Sequence, residues 1–329
     1  MTDKAKENPK IIAFPEATNM DILRTVQQAV MTGIGIPMLI GNKEIIEQLA
    51  AVNGISTNGF QYFDYSDEEV RQLLAEEYTG KFSDLSAKTV ARKAKDPVRC
   101  AMLLLKLDKV DCVAAGKEYS TGDVIFEAMS IVGLQEGVES VSSLGIAEIP
   151  GFEGSEGRML GLADCAITAQ PDAKDLAGIA IASADTAKAL LGWEPRVGML
   201  SFSTCGSAEH ESLEVVREAV ELVRKLRPEI KVDGEFQLDS AIIPGVAAKK
   251  VKRDSEVAGK ANILIFPNLH AGNIGVKMIQ IFGHANAYGP VLQGFAKPVC
   301  DFSRSAPVEE MLGNVAMLVI RAAGGISRE

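Results

Sequence analysis

Cysteine and histidine are sparse in this 329-residue chain, which has five of the first and three of the second. Cys100, Cys112, Cys165, Cys205 and Cys300 are odd in number, widely spaced and set among apolar residues, with no CxxC pair. They read as reduced core thiols of a cytoplasmic protein rather than a disulfide framework. His210, His270 and His284 show no HxxxH spacing, so no metal site is expected. Apolar runs of about 18 residues are missing, and nothing is expected to span a membrane. The opening MTDKAKENPK lacks the apolar core of a signal peptide. Basic excess is missing too: the formal charge is -10 and the pI about 5.0, which argues against nucleic acid as a partner. A local basic pocket for a small phosphorylated ligand stays compatible with that balance. Neither GxGxxG after a strand nor GxxxxGK[ST] occurs, which weakens ordinary dinucleotide and P-loop readings.

What is present is a hydrophobic fraction of 47%, enough for two domains of ordinary size or one large α/β unit. Short apolar runs alternate with helical periodicity. Lys10 to Pro15 predicts a strand stopped by proline, and Ile22, Leu23, Val26, Ala29 and Val30 share one face of the helix that follows. Ile36 to Ile40 and Lys43 to Val52 repeat the pattern, which favours parallel sheets covered by helices. Asp64 to Lys81 is polar and acidic. A helix from Pro97 to Leu107 leads into the strand Cys112 to Ala115. A strand over Glu139 to Ile146 and the loop IPGFEGSEGR suggest a boundary near residue 148, after which the alternation restarts. KVDGEFQLDSAI reads as strand-like. No flexible linker separates the halves, so a cleft between two domains is expected.

Polar residues just beyond strands are the candidate site. The turn GKEYSTGD follows Cys112 to Ala115, and Ser120 and Thr121 serve there either a ligand or the cap of the next helix. SFSTCG offers three hydroxyls and Cys205 with no identifiable base, which favours helix capping or phosphate hydrogen bonds over a nucleophile. Between Ala261 and Arg304, a strand ending at Phe266 enters the loop Asn268 to Asn273, and Ile274, Lys277, Met278 and Ile281 recur at helical spacing. Glycines at that helix start leave backbone amides free for an anion. Ser303 and Arg304 pair a hydroxyl with a planar fork of donors suited to phosphate. Glu309 or Glu310 either returns to the same site as a base or faces water in a first helical turn.

FPEA, ADCAITAQPDAKDLAGIAIASADTA, EPRVGMLSFST, VDGEFQLDSAI, SEVAGKANILIFPNLHAGNIGVKMIQ, GPVLQG and DFSR stand in the order seen in phosphate acetyltransferases, and the chain resembles that family from Ile11 to about Val319. The resemblance implies two α/β domains with mostly parallel sheets, an interdomain cleft, and an architecture like isocitrate and isopropylmalate dehydrogenases. The first domain would comprise 1–147 plus 291–329 and the second 148–290. It also implies acyl transfer between coenzyme A and inorganic phosphate in a ternary complex, with coenzyme A as substrate, no permanently bound cofactor and a homodimer. Neither an acyl-enzyme nor a metal is required. By the same resemblance Ser303, Arg304 and Glu310 are catalytic. Ser120, Thr121, Arg92, Asn268, Asn273 and Lys277 contact substrate.

The chain departs from the family pattern at particular positions. Ser305 and Ala306 replace Gly-Cys after the Ser-Arg pair. Phe126 stands where an arginine is common, Val276 replaces tyrosine, and Gly283-His284 replaces paired glycines. These changes leave open a longer acyl chain, as in phosphate butyryltransferases, or a non-catalytic protein that binds coenzyme A or phosphate. A β-decarboxylating dehydrogenase would need an aspartate cluster for its metal, which the sequence does not display.

Overall fold

A computed structural model describes residues 2–136 and 138–324. The chain starts with α1 (Thr2–Lys6) and then alternates β1 (Lys10–Phe14), α2 (Met20–Thr32), β2 (Gly35–Ile40), α3 (Lys43–Val52) and β3 (Gln61–Phe63). Three helices come next, α4 (Glu68–Phe82), α5 (Ala87–Lys93) and α6 (Pro97–Lys106), before β4 (Cys112–Ala115) and α7 (Thr121–Ile131). A second series comprises β5 (Ser142–Glu148), β6 (Met159–Ala163), α8 (Ala173–Leu191), β7 (Arg196–Leu200), α9 (Glu211–Leu226) and β8 (Lys231–Phe236). It continues with α10 (Leu238–Ile242), α11 (Pro244–Lys250), β9 (Ile263–Ile265), α12 (Leu269–Phe282) and β10 (Asn286–Gln293). The tail supplies β11 (Val299–Asp301) and α13 (Val308–Ala323).

Two compact units result, 1–133 with 295–329 and 134–294. The junction differs from the expected 147/148 because β5 pairs with β6 and β10, so it belongs to the second sheet. The return falls at 294/295 rather than 290/291 because β10 runs to Gln293 in that same sheet.

In the first unit the strand order is β11-β4-β1-β2-β3, every pair parallel. All of β4 is buried, as expected for a parallel strand covered on both faces. Asn19 caps α2 by accepting from the amides of Asp21 and Ile22, and Gly33 ends it in the left-handed region at φ 72°. Helix α13 packs on α2 and on β1, β2, β4 and β11, while α6 packs on β1, β2 and β4.

The second unit has the order β10-β5-β6-β9-β7-β8, with β10-β5 and β5-β6 antiparallel and the rest parallel. Its core packs α8 and α9 against the strands through Ile179, Ile181, Val216, Val220, Val197 and Ile263. Two stretches take shape here, the second against expectation. The acidic stretch after Asp64 is largely helical, because Asp67 caps α4 and the helix buries Arg71, Leu74, Ala75 and Tyr78. QLDSAI turns into α10 after β8 ends at Phe236.

Candidate active site

The carboxyl ends of β1, β4 and β11 bring one set of polar groups together in the first unit, the place where open parallel sheets carry their sites. Glu16 lies just beyond β1 and is 4% exposed. Its carboxylate accepts from four successive amides, Gly116 (3.3 Å), Lys117 (3.0 Å), Glu118 (2.7 Å) and Tyr119 (3.0 Å). The amides of the turn after β4 are therefore committed to the chain's own carboxylate. Asn19 Nδ2 donates to Glu118 at 2.9 Å, and the Tyr119 hydroxyl donates to Asp96 at 2.9 Å. Sequence reasoning gave Glu16 no role, although it lies in FPEA directly after a strand and proline.

Asp301, at the end of β11 and within DFSR, was likewise given no role. Its Oδ2 accepts from the Thr121 hydroxyl at 2.6 Å, while Oδ1 is buried without a hydrogen-bond partner. Burial raises its pKa most, the Thr121 hydrogen bond lowers it, Glu16 raises it and Arg304 lowers it, with a net rise to about 6. Gly116 sits against this carboxyl at φ 105°, and a Cβ there would strike Asp301 Oδ1. Ser120 caps α7 by accepting from the Asp123 amide at 3.2 Å and donates to the Asp123 carboxylate at 2.6 Å. Both predicted hydroxyls of this turn thus have intramolecular partners.

Beyond Asp301 the chain turns through Ser303, Arg304 and Ser305, all exposed. The Ala306 amide donates to the Ser303 carbonyl at 2.9 Å, and the Ala306 carbonyl accepts from Lys117 Nζ at 2.7 Å. Lys117 also pairs with Asp21 at 3.2 Å, its side chain only 8% exposed. The exposed loop is therefore pinned from beneath. Ser303 and Ser305 share a hydroxyl hydrogen bond of 3.0 Å. Glu309 and Glu310 are exposed in the first turn of α13. Arg92 is exposed near the end of α5.

In the second unit Asp164, 3% exposed, organises the turn after β6. It accepts from the Ser143 hydroxyl at 2.5 Å and from the amides of Ala166 (3.0 Å), Ile167 (3.3 Å) and Thr168 (2.7 Å). Helix α12 rests on this turn because Gly272 has no Cβ to strike the Asp164 carbonyl. Asn268 caps α12 through the Ala271 amide at 3.0 Å, and Asn273 donates to the Cys165 carbonyl at 3.3 Å. Lys277 is exposed. The hydroxyls after β7 serve structure: Ser203 donates to Glu235 at 2.8 Å, and Thr204 bonds Ser240 at 3.1 Å.

The family model for phosphate acetyl/butaryl transferases matches residues 1–319. The chain belongs to that family. It is 38% identical over 322 residues to a phosphate acetyltransferase of Thermoanaerobacterium thermosaccharolyticum, covering 97% of each chain. The solved EutD phosphotransacetylase of Staphylococcus aureus superposes with a TM-score of 0.88 at 31% identity, with 98% of each chain covered. A 4-hydroxythreonine-4-phosphate dehydrogenase of Klebsiella pneumoniae shares the fold alone, with a TM-score of 0.54 and 10% identity over 95% of this chain and 98% of that one.

The family departures have visible consequences. Ser305 supplies the hydroxyl that engages Ser303. Ala306 is buried, and Val276 packs against an apolar cluster of the second unit. His284 adopts φ 51°, a left-handed conformation that glycine takes with less strain. Phe126 is 63% exposed on α7.

Proposed function

We propose that the chain transfers an acetyl group between coenzyme A and inorganic phosphate, so that acetyl-CoA and phosphate give acetyl phosphate and CoA. The exposed, pinned Ser303–Arg304 turn carries this reading in a chain of this family. In the direction of thioester formation, the thiol proton of CoA passes to Glu310, because a free thiol with pKa ~8.5 is mostly protonated near neutrality. The thiolate attacks the carbonyl carbon of acetyl phosphate. A C–S bond forms, the C–O bond to phosphate breaks, and the leaving phosphate carries the electron pair to the Arg304 guanidinium. Ser303 donates to the carbonyl oxygen as negative charge collects there. Coenzyme A enters as a substrate, and Ser120, Thr121, Arg92, Asn268, Asn273 and Lys277 are its proposed contacts.

Thioester absorbance with acetyl-CoA and phosphate tests the reaction. For S303A a fall in kcat of about 10²-fold is expected, the scale of removing one donor to a developing oxyanion. R304A is expected to raise the KM for acetyl phosphate as well as lower kcat, and E310Q to lower kcat. Absence of turnover with acetyl-, propionyl- and butyryl-CoA by folded protein overturns the reaction. Turnover unaltered in R304A overturns the assignment.

The exposure of Phe126 favours a second reading, transfer of a longer acyl chain. A series of acyl-CoA lengths decides between them, since each methylene shifts selectivity by ~1–3 kcal/mol. We also propose a cytoplasmic homodimer. Exposed Ile274, Met278, Ile281 and Phe282 on α12 support association, and light scattering that returns a monomer overturns it. Among the described residues no helix is long and apolar enough to cross a membrane.

A further inference from the structure

A cavity of about 300 Å³ opens in the first unit along α4 and α5, walled by residues from Glu68 to Lys95 and by none from the Ser303–Arg304 turn. Arg71, Lys88, Arg92 and Lys95 line it against a single carboxylate, that of Glu68. Among the described residues none of these cations is in an ion pair. Arg71 is the decisive one, because it is only 6% exposed. Its Nη1 donates to the carbonyls of Tyr65 and Ser66 at 2.5 and 2.8 Å, but its Nε is buried with no partner.

A guanidinium held at that depth without a counter-ion is costly, and three further cations raise the local potential instead of relieving it. Elsewhere largely buried arginines meet carboxylates: Arg99 pairs with Glu127 and Arg196 with Glu156, their side chains 18% and 15% exposed. This cavity lacks that compensation. Its size is at the lower end for small-molecule sites, enough for a compact anion or for the charged end of a larger molecule.

We propose that the cavity binds a phosphoryl group, with the buried Arg71 as its fixed donor and Lys88, Arg92 and Lys95 neutralising its charge. A doubly charged tetrahedral anion with several acceptor oxygens suits a planar guanidinium fork beside mobile ammonium groups. The phosphoryl group is supplied either by a free phosphorylated molecule or by the phosphates of coenzyme A. Pyrophosphate binding is read without turnover and so stands apart from the acyl-transfer reading, whereas the CoA source rests on that reading.

The experiment is calorimetry of the full chain with inorganic pyrophosphate, repeated on K88E/K95E, whose altered side chains are exposed. Equal melting temperatures establish that the variant folds. Pyrophosphate binding is expected to weaken by at least about tenfold in the variant, because two cations beside the anion become carboxylates. Pyrophosphate held at Ser303 and Arg304 is blind to this change, which separates the two sites. The KM for CoA identifies the source. A rise in the variant with kcat unchanged assigns the phosphoryl group to CoA, and an unchanged KM with weakened pyrophosphate binding assigns it to a free ligand. Pyrophosphate affinity equal in both proteins, or absent from both, together with an unchanged KM for CoA, overturns the proposal.

Discussion

Ser303 shares its hydroxyl with Ser305 at 3.0 Å, at a position where the family pattern carries glycine. A nucleophile-orienting or oxyanion-binding hydroxyl has to leave such a partner before it serves substrate, and a hydrogen bond is worth ~1 kcal/mol net. S305G is therefore expected to raise kcat/KM by about fivefold, measured by steady-state kinetics. A rate that falls or stays level separates Ser303 from the chemistry. Asp301 offers a pH signature. Burial, opposed by the Thr121 hydroxyl, raised by Glu16 and opposed by Arg304, brings its pKa from 3.8 to about 6. The native state thus holds this proton more tightly than the unfolded chain. The resulting stabilisation is complete below about pH 4 and is lost as pH rises through about 6. Asn at this position stays neutral, so D301N is expected to remove that loss, with denaturant unfolding between pH 4 and 7 as the measurement. An unchanged pH slope refutes the assignment. Ser303 and Arg304 stood out in the sequence because a hydroxyl and a guanidinium are adjacent in the chain. Glu16 was not, since its partners lie a hundred residues on in the chain.

At the scale of elements, Glu16 ties the end of β1 to the turn that starts α7, and Asp301 ties β11 to that same helix through Thr121. E16A strands buried amides and is expected to cost on the order of 3 kcal/mol in unfolding free energy. Thermal and denaturant melts measure it, and a loss below ~0.5 kcal/mol shows that water replaces the carboxylate. The helices α2 and α6 were legible, because their apolar residues recur on one face and their caps, Asn19 and Asp96, precede them. Helix α4 was hidden by Arg71, a charged residue on the buried face, which breaks the apolar period. Helix α12 shows the opposite failure. Its apolar residues recur at helical spacing, yet Ile274, Met278 and Ile281 are exposed, while the small Gly272 is the buried residue. Close backbone packing on the Asp164 turn, rather than side-chain hydrophobicity, set its orientation.

On the scale of the whole molecule, the first unit is discontinuous: residues 295–329 complete it. Met311, Val315, Met317, Leu318, Val319 and Ile320 of α13 are buried. Burying each large apolar side chain contributes ~1.5–3 kcal/mol, so the six together are comparable to a whole stability margin of ~5–15 kcal/mol. A chain ending at Gly294 is expected to lose cooperative unfolding of the first unit, seen by near-UV circular dichroism and hydrogen exchange. Native-like protection of β1 and β4 in that truncation contradicts it. The sequence by itself determined the α/β class, most element positions and the place of Ser303 and Arg304 beyond a strand, because periodicity, capping and strand ends are local. Only the tertiary structure decided that β5 and β10 join the second sheet, that Glu16 fills the turn after β4, and that Arg71 lies buried without a counter-ion. Those outcomes depend on sheet pairing and on contacts between segments far apart in the chain, which no local pattern records.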